Sequence, residues 1–227
     1  MSASTGIPEA EDLSVVVVGS FNPSIFHPEW FLRQKLIGDE DAKDAGIQNV
    51  SNEATEIKLC GLKLICSQKR LVLRCSNISH AARLQDLLAQ MMLLLPHTPV
   101  IACGINPNAH YSVGNRDYWH KIGHVLAPKE LLWNELVKQP GMKSLTITGV
   151  REGAFPGNVN ITVEPSAKFV PGLYIGLNHH YVVPEGSRRA GGAECVVGFL
   201  KGEWDSACAM PRRVAQMVFE KIKPDNG

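Results

Sequence analysis

Apolar and polar positions alternate along the chain with two different periods, and the order of those periods lays out the predicted elements. Val15–Val18 is an unbroken apolar run that meets Gly19 and then Asn22-Pro23, which predicts a buried strand over Ser14–Val18 closed by a turn. Pro28 suits a first helical turn and opens a predicted helix over Pro28–Ile37. Gly38–Asn52 is acidic, polar and glycine-bearing, and reads as a loop or linker. A period of two follows. Ile57 and Leu59 alternate with Glu56, Lys58 and Cys60, Leu62 and Leu64 flank Lys63, and Leu71 and Leu73 sit between Arg70, Val72 and Arg74. That pattern belongs to an antiparallel sheet covered on one face only. After Ser79, a candidate N-cap, the period becomes helical: Leu84, Leu87, Leu88, Met91, Leu94 and Leu95 recur, and Pro96 and Pro99 bracket the end.

The chain then opens the same way again. Val100–Pro107 (VIACGINP) aligns with Val16–Pro23 (VVVGSFNP) at an offset of 84, placing Asn106-Pro107 on Asn22-Pro23 as a second turn. Asn before Pro is pushed into an extended conformation and its side chain can close a turn, so the pair is expected to be architectural. A helical stretch holding Trp119 follows as one holding Trp30 did, is interrupted at Pro128, and resumes over Lys129–Lys138. Strands are predicted at Ser144–Val150, Asn158–Glu164, Leu173–Val183 and Glu194–Leu200, and a closing helix from Pro211. Ala215–Val218 in that helix echoes Ala89–Met92.

Two short matches in the same order predict an internal duplication. The fold class expected is α+β, a largely antiparallel sheet from two related strand–helix–strands–helix halves with helices mainly on one face. The bounds are a polar tail over 1–13, a first half over 14–97, a second, loop-expanded half over 98–223 fused to it as one domain, and a tail over 224–227. This order of elements resembles the duplicated saddle of the TATA-binding-protein-like class in topology, and is similar to uncharacterised bacterial proteins built from two such halves. The resemblance rests on element order, not signature residues, and implies a fold without implying an activity.

Composition narrows the functional classes. Apolar residues make up 44% of the 227 and charged residues 20%, which argues for a packed core rather than disorder. Twenty-three Lys+Arg against 22 Asp+Glu leave a net charge of +1, so any nucleic-acid or lipid binding must come from a local patch. MSASTGIPEAEDL carries acids where a secretory leader carries Lys or Arg, and the longest apolar runs, Val15–Val18 and Met91–Leu95, are far short of a span. Six scattered cysteines without CxxC read as reduced thiols, so a cytoplasmic protein without membrane association is expected.

No GxSxG, Walker loop, GxGxxG or HExxH is present, and carboxylates are few inside the predicted elements. Glu152, Glu164 and Glu194 fall at strand ends, and Cys103 or Cys208 would be a nucleophile only beside a histidine. Binding candidates are clearer. Arg188 and Arg189 stand in the Gly-rich loop PEGSRRAGGAE between two predicted strands, suited to phosphate, carboxylate or an acidic surface, or else a solvated hairpin tip. Alternation over 173–183 places Leu173, Ile175, Leu177, His179, Tyr181 and Val183 inward, and Tyr174, Asn178 and His180 on the opposite, open face. Lys58, Lys63, Arg70 and Arg74 would give the first half's face a basic patch, with Asn158, Asn160 and Thr162 joining the second. His120 and His124, spaced i and i+4, are the first metal candidates, with His110 or Asp117 as a third ligand. No cofactor is expected. The leading expectation is a binding or assembly subunit that holds a protein or nucleic-acid partner, or further copies of itself, on the polar sheet face or the groove between halves. A metal-dependent hydrolase or nuclease using His110, His120, His124 or His180, and a sensor of a small anion through Arg188 and Arg189, are the alternatives.

Overall fold

The computed structural model describes residues 6–151 and 154–223; the candidate carboxylate Glu152 and the 224–227 tail lie outside them. The first half runs β1 (Ala10–Gly19), α1 (Pro28–Arg33), α2 (Asp39–Lys43), β2 (Gly46–Val50), β3 (Ala54–Leu59), β4 (Leu62–Ser67), β5 (Arg70–Cys75) and α3 (Ala81–Leu94). The second runs β6 (Val100–Ser112), α4 (Arg116–Leu126), α5 (Trp133–Leu136), β7 (Leu145–Val150), β8 (Gly157–Pro165), β9 (Gly172–Val182), α6 (Glu185–Arg188) and α7 (Ala193–Lys221). The nine strands of the described residues join one antiparallel sheet in the order β2-β3-β4-β5-β1-β6-β9-β8-β7. Read outward from the central β1/β6 pair, each half places its last strand next to its first. The α+β class with an antiparallel sheet is as expected.

One face of the sheet carries the helices. Leu13, Val15 and Val17 of β1, Ile57 and Leu59 of β3 and Leu71 and Leu73 of β5 turn inward and join Leu84, Leu88, Met91 and Met92 of α3 and Val196, Leu200 and Trp204 of α7 in one buried cluster. A second cluster lies on the same face in the other half, where Tyr118 and Ile122 of α4 and Ala215 and Val218 of α7 cover Tyr111, Leu173, Ile175 and Leu177. The opposite residues of each strand face outward, so the Val15–Val18 run is half buried: Val16 and Val18 keep partial exposure on the open face. Gly19 ends β1 because the chain crosses the start of β6 there; a Cβ at this position would lie 2.2 Å from the Pro99 carbonyl oxygen. The β3–β4 hairpin turns on Cys60 and Gly61, both at positive φ (55° and 74°), the backbone of a tight two-residue connection.

Several boundaries differ from the sequence reading. β1 begins at Ala10, within the expected tail, and the expected linker Gly38–Asn52 holds α2 and the edge strand β2. Asn77, not Ser79, caps the entry to α3: its side chain accepts the Ser79 N–H at 3.0 Å across a short 3-10 turn. Asn22 does cap such a turn, but Asn106-Pro107 makes none, because β6 runs straight through it with Asn106 opposite Ser14 and Pro107 opposite Leu13. Ala215–Val218 and Ala89–Met92 also sit in different phases, with Met91 buried and Met217 46% exposed. Glu194–Leu200 is not a strand. It is the first two turns of α7, whose buried positions Val196, Leu200, Trp204, Ala207, Pro211, Ala215 and Val218 recur at helical spacing. Pro211 therefore lies inside that helix instead of starting it. Lys129–Lys138 is mostly irregular, and Leu131, Leu132 and Leu136 are exposed. No helix among the described residues is long and apolar enough to cross a membrane, and all six cysteines are free thiols.

Candidate functional site

The open face of the sheet carries polar side chains from both halves, and strand register sets them in rows. One row crosses eight strands: Lys58, Lys63, Arg74, Ser14, Asn106, Asn178, Asn160 and Thr148. At the usual strand spacing it spans roughly 34 Å. The residues expected on this face from alternation are there: Arg74 in the first half, and Tyr174, Asn178 and His180 in the second. The outward side chains are short at the centre, where Gly104, Gly176 and Ser14 leave a low floor. A shallow cavity of about 520 Å³ lies there, lined in part by Asn106, Asn160, Thr162, Tyr174 and Asn178.

In the second half the floor is held by hydrogen bonds between side chains. Asn178 Nδ2 donates to Asn106 Oδ1 at 2.5 Å, and Asn160 Nδ2 donates to Asn178 Oδ1 at 3.4 Å. Asn108 Nδ2 donates to Asp12 Oδ1 at 2.9 Å, while the Tyr174 hydroxyl donates to Asn108 Oδ1, also at 2.9 Å. The Tyr174 ring lies over Gly176, where a Cβ would meet its hydroxyl at 2.4 Å. Burial, with the charges of Asp12 and Glu164, pushes the Tyr174 phenol up, which keeps it a neutral donor. Cross-strand amides joined in this way present fixed donors and acceptors to whatever lies on the face.

The first half is different in kind. Lys58, Lys63 and Arg74 stand directly opposite one another, an arrangement that repels. Acids in the adjoining rows answer it: Glu56 lies 2.5 Å from Lys63, and Asp12 lies 3.7 Å from Arg74. The basic patch expected from the sequence is present but partly neutralised. Val16, Val72 and Ile65, in register across β1, β5 and β4, give it an apolar strip.

His110 borders the open face and is 7% exposed, with its ring 5.0 Å from that of Tyr174. Its Nδ1 lies 2.9 Å from Ser166 Oγ. That pairing resembles a base and nucleophile, but Ser166 is buried and its oxygen already accepts the N–H groups of Lys168 and Phe169, both at 3.1 Å. The serine proton is therefore best placed toward His110, and the pair braces the β8–β9 connection. Burial, then the charge of Lys168, pulls the His110 pKa down, so the ring is neutral there.

The other candidates are dispersed. His180 sits on the open face between Gly104 and Asn158. His120 and His124 ride on α4, which packs against the covered face, and His124 Nδ1 lies 3.3 Å from Glu130. Among the described residues no group of three His, Cys, Asp or Glu side chains is arranged to hold a metal. Arg188 and Arg189 are not at a hairpin tip: they end the short helix α6, and Arg188 Nε donates to the Val183 carbonyl at 2.7 Å. Burial pushes the thiols of Cys103 and Cys208 up to about 12, far from a thiolate nucleophile.

Sequence reasoning missed the polar cluster on the covered side of β9. Arg151, in the connection after β7, lies 2.5 Å from Glu203 of α7 and 2.9 Å from His179 Nδ1, with its guanidinium 4.2 Å above the Tyr181 ring. Only the inward phase of His179 signalled it. Burial above all, then the Arg151 charge, lowers the His179 pKa to about 4. Compared with known proteins, the chain matches no family model and no curated protein.

Proposed function

We propose that the protein is a non-enzymatic binding or assembly subunit that holds a protein partner across the open face of its sheet. The observation that carries this reading is the row from Lys58 to Thr148, a fixed polar floor left uncovered by the helices. Amide side chains carry no proton for acid–base work at neutral pH but offer donors and acceptors together, as a peptide surface requires. A protein is favoured over nucleic acid because the basic residues bring their own acids and the net charge is +1. The halves meet at β1/β6, so a partner on the central floor touches both at once.

Size-exclusion of a native extract tests it, with Asn160→Arg/Thr162→Arg as the comparison because both residues are partly exposed on the floor. The wild type should elute in a complex larger than its 24.8 kDa chain, and the double variant should fall to monomer size. A wild-type monomer in the extract would sink the reading. Dispersal of the complex by nuclease or salt would transfer the face to nucleic acid.

A further inference from the structure

Away from the open face, a second cavity of about 130 Å³ lies beneath the connection from α4 to β7, lined by Trp119, His120, His124, Lys129, Met142 and Leu173, among others. Lys129 is the unusual member. It is only 4% exposed, in a segment whose neighbours Leu131 and Leu136 are 91% and 63% exposed. Its ammonium donates to the Gly123 carbonyl in the last turn of α4, the one acceptor it has among the described residues. Gly123 and the helix's negative end account for its orientation. They do not account for three N–H donors, and a buried ammonium short of acceptors is costly. Burial accordingly lowers the Lys129 pKa.

The rest of the lining is mostly apolar. Trp119 is anchored by its indole N–H to the Gly172 carbonyl at 2.9 Å, so its ring is a fixed wall. The volume is close to the roughly 150 Å³ of an engineered cavity that takes up benzene. One buried cation and apolar walls match a molecule with a single charge and a compact apolar body. Phosphate is a poorer match, since it is usually held by several converging backbone N–H groups. Glu130 does not line the cavity: its side chain is 64% exposed beside His124 and accepts the backbone N–H of Lys129 at 3.0 Å, and its charge offsets only part of the effect of burial on the Lys129 ammonium.

We propose that this cavity binds a small organic carboxylate with an apolar body of about benzene size, with Lys129 as its counter-charge and Trp119, Met142 and Leu173 as its walls. This site is separate from the open face and does not depend on the binding-subunit reading.

Benzoate and benzamide, equal in shape but not in charge, are the probes, with inorganic phosphate as a third. The readout is the indole N–H resonance of Trp119, assigned with Trp119→Phe, together with thermal stability. Millimolar benzoate should shift the resonance and raise the midpoint, and benzamide and phosphate should do much less. Lys129→Met, which keeps the length of the stem, should weaken benzoate at least about tenfold. If that variant does not fold, Met142→Trp fills the cavity with Lys129 intact and should abolish the response. Equal responses to benzoate and benzamide, an unmoved Trp119, a phosphate response as large, or an unaltered benzoate response in the folded variants would each overturn the proposal.

Discussion

β9 carries polar side chains on both of its faces, and its two sides are held together differently. On the open side, Asn178 joins Asn106 and Asn160 in a row that water can reach, so each amide has solvent as an alternative partner. On the covered side, one residue further along, His179 is 3% exposed and in contact with Arg151, whose charge is matched by Glu203. The side chains of Arg151 and Glu203 are only 7% and 13% exposed, so neither has water to fall back on. Such a pair need add little to stability, yet removing one member leaves an uncompensated buried charge. Polar groups are held here in two ways: within reach of water on one side, committed to the fold on the other.

The sharpest way to break this comparison is to take one partner from the covered side. Glu203→Ala should destabilise the protein by about 3–5 kcal/mol in denaturant unfolding, since Arg151 then sits unpaired between His179 and Tyr181. A loss no larger than that of an open-face amide would mean the two sides do not differ.

Acid tests the same cluster without a mutation. His179 is held neutral down to about pH 4, because burial and then the Arg151 charge oppose its protonation. In the unfolded chain an ordinary histidine takes up its proton near pH 6.5. The stabilising contribution is therefore complete above pH 6.5, declines as pH falls toward 4, and levels off below, by on the order of 3 kcal/mol. Urea midpoints between pH 7 and 4 should fall for the wild type and fall distinctly less for His179→Gln. Parallel pH profiles for the two would remove His179 as the cause.

Much of the open face was legible in the sequence and almost none of the covered cluster was. A period of two is a local property, so the alternation around Lys58, Lys63, Arg74, Tyr174 and Asn178 put each residue on its side without knowledge of which strands pair. Arg151 and Glu203, by contrast, are 52 residues apart in chain order. Arg151 reads as an ordinary loop cation, and Glu203 follows a segment whose pattern predicts a strand. Glu194–Leu200 misled because a short apolar run fits a strand as well as a buried helix. The spacing that continues from Val196 and Leu200 to Trp204 and Ala207 is the helical one. Lys129 carried no signal at all, because its burial comes from a loop folding back on α4.

On the open side the expected effects are smaller. Asn178→Ala removes a donor to Asn106 and an acceptor from Asn160, both partly buried, and should cost about 1 kcal/mol. It should nevertheless abolish capture of the partner, if the floor is the binding surface. A variant that loses several kcal/mol of stability and still binds would invert both halves of the comparison.

The smallest effect separates the two halves of the open face. Lys63 gains from Glu56 at 2.5 Å, but stands directly between Lys58 and Arg74, which repel it. Both its side chain and that of Glu56 keep about a third of their exposure, at 36% and 35%, so water and salt screen each term. Lys63→Gln removes one attraction and two repulsions together and should change stability by less than about 0.5 kcal/mol. Glu56→Gln removes only the attraction and leaves three cations in register, so it should cost up to about 1 kcal/mol at low salt and recover as salt is added. Asn178→Ala, which involves no charge, should show no such recovery. If Lys63→Gln and Glu56→Gln instead cost the same at every salt concentration, the first-half row behaves like the amide row, and the contrast between a charged and an amide half of the face disappears.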